Sequence, residues 1–124
     1  MSNDPALKKG IYCDCFGTLY GPRMGDNHLL VRYLNAQYAA GTPVVIFSTE
    51  PADVLQRIQT LGLHDDLKIV QSKKDYDGVT LETLIDDHPS HYLKALKHWL
   101  PDDPLFRAHI KMFLTAKPPF HPSP

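Results

Sequence analysis

Four short, mainly apolar runs mark the chain, Ile11 to Cys15, Val44 to Phe47, Leu67 to Val70 and Val79 to Ile85; the first carries Asp14 near its end, the other three stop at polar or charged residues, and helix-like stretches separate the first three. Runs this brief suit strands covered on both faces better than helices. Strands joined through helices need right-handed crossovers, so the expected fold is α/β: a three-layer sandwich around a parallel, Rossmann-like sheet. In such a sheet the C-terminal strand ends share one rim, and ligands bind beside it. On that rim the sequence places Asp14, Ser48, either Lys73 or Lys74, and the pair Asp86-Asp87.

The intervening segments carry their own start and stop signals. Asp26 or Asn27 can cap a helix running to Ala40, with Leu30, Tyr33, Leu34 and Tyr38 on one stripe and Gly41 just past its end. Thr49 or Glu50 can cap a second, with Pro51 in its first turn, Val54, Ile58 and Leu61 in register, and Gly62 closing it. The turn-rich stretch from Gly21 to Asn27 is a candidate flap over the first strand's end. Beyond Pro89, Leu93, Leu96 and Leu100 mark an expected helix, with Trp99 in a core-packing stripe. Phe106, Ile110 and Phe113 mark another, the better candidate for a homodimer contact. The Pro-rich tail from Pro118 should be irregular.

At 124 residues the chain reads as a single domain, 1–124, able to bury roughly two thirds of its unfolded surface. Thirteen basic against fourteen acidic side chains argue against a broad footprint for nucleic acid or an anionic membrane. Phosphate recognition should then be local. No apolar run approaches the ~18 residues of a membrane span, and no signal-peptide pattern opens the chain, so the expected location is cytoplasmic. Cys13 and Cys15 flank Asp14 too closely for easy disulfide geometry and read as small buried hydrophobes. The histidines show no zinc-ligand spacing and read as surface residues.

Asp14-Cys15-Phe16-Gly17-Thr18-Leu19, Val44-Val45-Ile46-Phe47-Ser48, Ser72-Lys73-Lys74-Asp75 and Leu84-Ile85-Asp86-Asp87, in this order and each after an expected strand, together resemble the haloacid dehalogenase (HAD) superfamily. The resemblance covers residues 11–90; residues 101–124, a helical extension and the Pro-rich tail, lie outside it. It implies a small HAD-like domain without a cap, since the spacing from Asp14 to Ser48 holds only a loop and one helix, and no cap fits between Ser48 and Lys73. It also implies a Mg²⁺-dependent phosphomonoester hydrolase or phosphotransferase, a phosphatase-type enzyme working through an aspartyl-phosphate. By resemblance Asp14 is nucleophile and metal ligand, Asp86 and Asp87 complete the Mg²⁺ site, and the Phe16 carbonyl adds a ligand. Ser48 holds a phosphoryl oxygen, and a lysine, Lys73 in preference to Lys74, steadies the transferring group. Thr49, Lys74 and Arg23 are candidate substrate contacts, and Thr18 holds the turn. An open, capless cleft implies a phosphorylated substrate that is large, or closure by a second subunit.

Phe16 departs from the family's phosphatases, which place there a second Asp as general acid and base. Three readings stay open: a phosphatase with reduced or specialised activity towards acyl or aryl phosphates, or one helped by a group from the Arg23 to His28 loop; a dehalogenase-like hydrolase, since such enzymes carry an aromatic residue and Gly-Thr-Leu after the nucleophile; and a non-catalytic module binding phosphate, metal or a protein. Several site residues also have a plain structural role open to them: Asp14 as a turn cap, Ser48 as a helix cap, Asp86-Asp87 as a helix start, Arg23 as a solvated loop residue. A receiver domain is a rival class, but its acidic pair precedes the phospho-acceptor strand, and here the pair comes last.

Overall fold

The computed structural model describes residues 7–21, 25–48, 56, 59–88 and 93–116. Its centre is a five-stranded, wholly parallel sheet built from β1 (Leu7–Asp14), β4 (Val44–Phe47), β5 (Lys68–Val70), β6 (Thr80–Ile85) and β7 (Lys94–Trp99), in the spatial order β5-β4-β1-β6-β7. A small antiparallel pair, β2 (Tyr20–Gly21) with β3 (Gly25–Asp26), follows β1 and forms the hairpin expected only as a loop. Helix α1 spans His28–Ala39, helix α2 spans Pro104–Thr115, and a 3-10 turn covers Lys73–Tyr76.

Local chemistry explains the ends of these elements. The Asn27 side chain accepts the Leu30 N–H at the start of α1, and Asp103 accepts the Leu105 N–H ahead of Pro104 in α2, each satisfying a donor the helix leaves open. Gly41 and Gly62 both take positive φ where helices were expected to stop. Residues 59–61 are helical; the rest of that expected helix, with its Thr49, Glu50 and Pro51 start, lies outside the described residues, as do Arg23 and the tail.

Helices α1 and α2 pack on the same face of the sheet. Leu30, Val31, Tyr33 and Leu34 of α1 and Phe106 and Ile110 of α2 pack with Ile11, Cys13, Val44, Ile46 and Ile85 in one core. The opposite face holds Tyr12, Val45, Phe47, Val70 and Leu84, and among the described residues it is covered by Tyr76 of the 3-10 turn and by Leu93. Right-handed crossovers require this split: connections towards β5 run over one face, and those returning to β6 and β7 run over the other. The second outer layer is thus thinner than a full helical layer in the part described. Cys13 and Cys15 are buried and form no disulfide among the described residues, as expected for packing residues.

One expected element is replaced. Lys94–Trp99, read as helix from Leu93, Leu96 and Leu100, is the edge strand β7, paired with β6 from Thr80↔Lys94 to Ile85↔Trp99. The expected core stripe splits accordingly. Leu93 is buried and Trp99 stacks on Phe106 at 4.9 Å, whereas Leu96 and Leu100 face solvent. The ladder to β6 supplies the hydrogen bonds that an isolated helical pattern could not anticipate, and the edge position leaves the other side of β7 without a strand partner among the described residues.

Candidate functional site

β1 lies between β4, the next strand in sequence among the parallel five, and β6, reached only after the chain has returned from the far edge. Such a reversal opens a crevice beyond the strand ends. The register Cys13↔Ile85 puts the residues immediately after, Asp14 and Asp86, side by side at this crevice. Asp87 joins them: one carboxylate oxygen from each of Asp14, Asp86 and Asp87 lies within 4.8 Å of the others.

Three like charges in so small a volume need compensation. Lys73 supplies part of it, with Nζ 2.8 Å from Asp86 Oδ2 and 3.6 Å from Asp14 Oδ1. The sequence left Lys73 and Lys74 open, and the structure distinguishes them. Lys74, one step along the 3-10 turn, is exposed, and its N–H donates to the Ser72 hydroxyl at 3.2 Å. Burial pulls the Lys73 ammonium down, but its bond to Asp86 and the charges of Asp14 and Asp86 outweigh that and leave its pKa raised. Asp14 is pushed up to about 6, first by burial and then by the charge of Asp86, with Lys73 acting against both.

Asp86 is almost fully buried, and each of its parts has a partner. Its Oδ1 accepts the His88 N–H at 2.9 Å and its Oδ2 accepts from Lys73; its own N–H donates to the Trp99 carbonyl at 3.2 Å, and its carbonyl lies 3.0 Å from His98 Nε2. The β7 strand therefore clamps the backbone of the buried acid. That role went unseen in the sequence because residues 94–99 read as helix. Thr18, expected to hold the turn, does more. Wholly buried, its hydroxyl lies 3.5 Å from Asp14 Oδ2 and 3.3 Å from Asp87 Oδ1, and it accepts the Asp87 N–H at 3.3 Å. It ties the turn after β1 to the end of β6.

Gly17 makes the close approach of the two segments feasible. Its φ is +85°, and a Cβ built there would stand 2.7 Å from Asp87 Oδ2. Phe16, one residue earlier, directs its ring outward, edge-on to Tyr20 at 5.7 Å. Ser48 sits half-buried at the end of β4, its N–H donating to the Val70 carbonyl at 2.8 Å. Thr49 and Arg23 lie outside the described residues.

The donor set consists of carboxylate oxygens, and three carboxylates against one ammonium leave two negative charges uncompensated. Hard oxygen donors with that residual charge fit a small hard dication such as Mg²⁺. Each carboxylate oxygen has two acceptor sites, so the bonds from Lys73 and His88 leave Asp86 capacity for a further partner. No family model, curated protein or solved structure matches the chain.

Proposed function

We propose that the chain is a Mg²⁺-dependent phosphomonoester hydrolase or phosphotransferase of the capless HAD type, with Asp14 as nucleophile. The observation that carries this reading is the convergence of Asp14, Asp86 and Asp87 around Lys73 at the crevice beyond β1 and β6. A phosphate ester repels an attacking carboxylate, so a site for it needs local positive charge. Asp14, Asp86, Asp87 and the Phe16 carbonyl would hold the cation, which when bound offsets the charge on the phosphoryl oxygens.

The chain's own groups divide the remaining work. Asp14 attacks phosphorus, forming an aspartyl-phosphate that water hydrolyses. Lys73 keeps the Asp14 carboxylate in place and faces the transferring group. Thr18 holds Asp14 and Asp87 in register. Ser48, at the neighbouring strand end, offers its hydroxyl to a phosphoryl oxygen.

Release of inorganic phosphate from acetyl phosphate, with Mg²⁺ and with chelator, tests the reading in wild type and Asp14→Asn. Activity that depends on Mg²⁺ and disappears in Asp14→Asn supports it, and activity that survives Asp14→Asn refutes the nucleophile. A second reading, a non-catalytic phosphate- or protein-binding module, draws support from Phe16, which places no acid beside Asp14. Mg²⁺ or phosphate binding with no turnover of any phosphate would favour that module.

A further inference from the structure

Phe16 stands two residues beyond Asp14 in the turn that leads the chain away from β1, and its ring is 62% exposed. The turn around it is pinned. Gly17 N–H donates to the Tyr20 carbonyl at 2.7 Å, Leu19 N–H donates to the Cys15 carbonyl at 2.8 Å, and the Phe16 ring meets Tyr20 edge to face. A ring that is mostly exposed yet held against a second ring at 83° is a surface on which an aryl group can pack. Its backbone neighbour, Gly17, lies directly against the Asp87 carboxylate, so the turn that carries the ring borders the acidic cluster.

The second observation is chemical. An alkoxide leaving group needs a proton from a positioned acid, an aid typically worth ~10²–10⁴ in rate. Phe16 has none to give. Among the described residues beside the cluster, the Thr18 hydroxyl is buried between Asp14 and Asp87, the Lys73 ammonium is paired with Asp86 and Asp14, and the exposed His88 ring lies against Asp87. A phenolate can depart without that help, because a phenol of the tyrosine kind ionises near pKa ~10.

The geometry points to aryl phosphate monoesters as the substrate class, with Phe16 and Tyr20 receiving the aryl group. This rests on the reading of Asp14 as phosphoryl acceptor. Asp14 forms a bond to phosphorus as the bond from phosphorus to the aryl oxygen breaks, and the electron pair leaves on the phenolate. Water then attacks the aspartyl-phosphate, restoring the carboxylate and releasing phosphate and a proton, which the phenolate takes up from solvent.

The test compares phenyl phosphate, a tyrosine-phosphorylated peptide, glycerol phosphate and acetyl phosphate on the full chain with Mg²⁺, in wild type and Phe16→Leu. The expected wild-type kcat/KM is at least ~100-fold higher for phenyl than for glycerol phosphate. Phe16→Leu should lower the preference for phenyl over acetyl phosphate about two- to tenfold, as for loss of one ring contact. Independently of turnover, calorimetry should find phenylphosphonate bound more tightly than methylphosphonate by wild type, with the difference narrowed in Phe16→Leu. The peptide arm separates a protein phosphotyrosine from a small aryl ester, since only a peptide-directed site turns over the peptide faster than phenyl phosphate. Glycerol phosphate turned over within tenfold of phenyl phosphate overturns the inference, and would mark His88, 3.7 Å from Asp87, as a proton source. Acetyl phosphate turnover without any aryl preference overturns the inference while the phosphatase reading stands; no turnover of any phosphate overturns both.

Discussion

Lys73 Nζ lies 2.8 Å from Asp86 Oδ2, and the Asp86 carboxylate is buried to 1% exposure while the lysine side chain keeps 27%. The pair is one-sided: the acid depends on the lysine more than the lysine on the acid. Removing one member of a buried pair strands the other. Lys73→Met should therefore lower stability by about 2–3 kcal/mol at pH 7, less than for a fully buried pair because solvent reaches the lysine. Urea unfolding measures it. Lys73→Met/Asp86→Asn should recover part of the loss, and a loss equal to the sum of the single variants would show that the two do not interact.

Asp14 titrates at about 6 because burial and Asp86 disfavour its charge. An unfolded Asp titrates near ~3.9. Between these values the folded state holds more protons, so stability falls as pH rises from about 4 to about 6, by about 3 kcal/mol in all, and the full penalty remains above that range. Asp14→Asn should flatten this slope and raise stability at pH 7. Unfolding at a series of pH values, beside NMR titration of the Asp14 carboxyl carbon, checks both.

Gly17→Ala places a Cβ 2.7 Å from Asp87 Oδ2 on a backbone at φ +85°. The positive φ costs about 1–2 kcal/mol for an alanine. Asp87 is partly exposed and can swing away, so the crowding should appear chiefly as weakened cation binding. Thermal unfolding reads the first effect and Mg²⁺ titration the second.

Mg²⁺ itself should stabilise the fold. At ten times its Kd the gain is about 1.4 kcal/mol, a few degrees in Tm, and chelator should abolish it. Asp86→Asn should bind Mg²⁺ more weakly, as should Asp87→Asn. A Tm insensitive to Mg²⁺ in wild type would count against the cation site.

Phe106 has no exposed surface, stacks on Trp99 and meets Tyr33 edge to face at 5.8 Å. Phe106→Ala should cost about 3–5 kcal/mol by loss of buried area and formation of a cavity between α1, α2 and the sheet. Chemical unfolding measures it, and loss of the near-UV signal of Trp99 should accompany it.

Much of this fold follows from local chemistry. Val44–Phe47 is a strand over the expected residues because four buried apolar side chains admit little else, and Asn27, Gly41, Asp103 and Pro104 mark helix ends through hydrogen bonds and φ values that belong to those residue types. The order of polar residues after each strand brought Asp14, Lys73, Asp86 and Asp87 forward as candidates, since a parallel sheet sends all its strand ends to one rim. Tertiary structure decided what no window of sequence contains. Whether residues 94–99 form helix or strand depended on a ladder to β6, and the choice of Lys73 over Lys74 depended on which side of a 3-10 turn faces Asp86. The clamp on Asp86 from Trp99 and His98, and the contact of Gly17 with Asp87, arise from the register between distant strands. Local propensity records what a residue prefers; partners far along the chain determine what it meets.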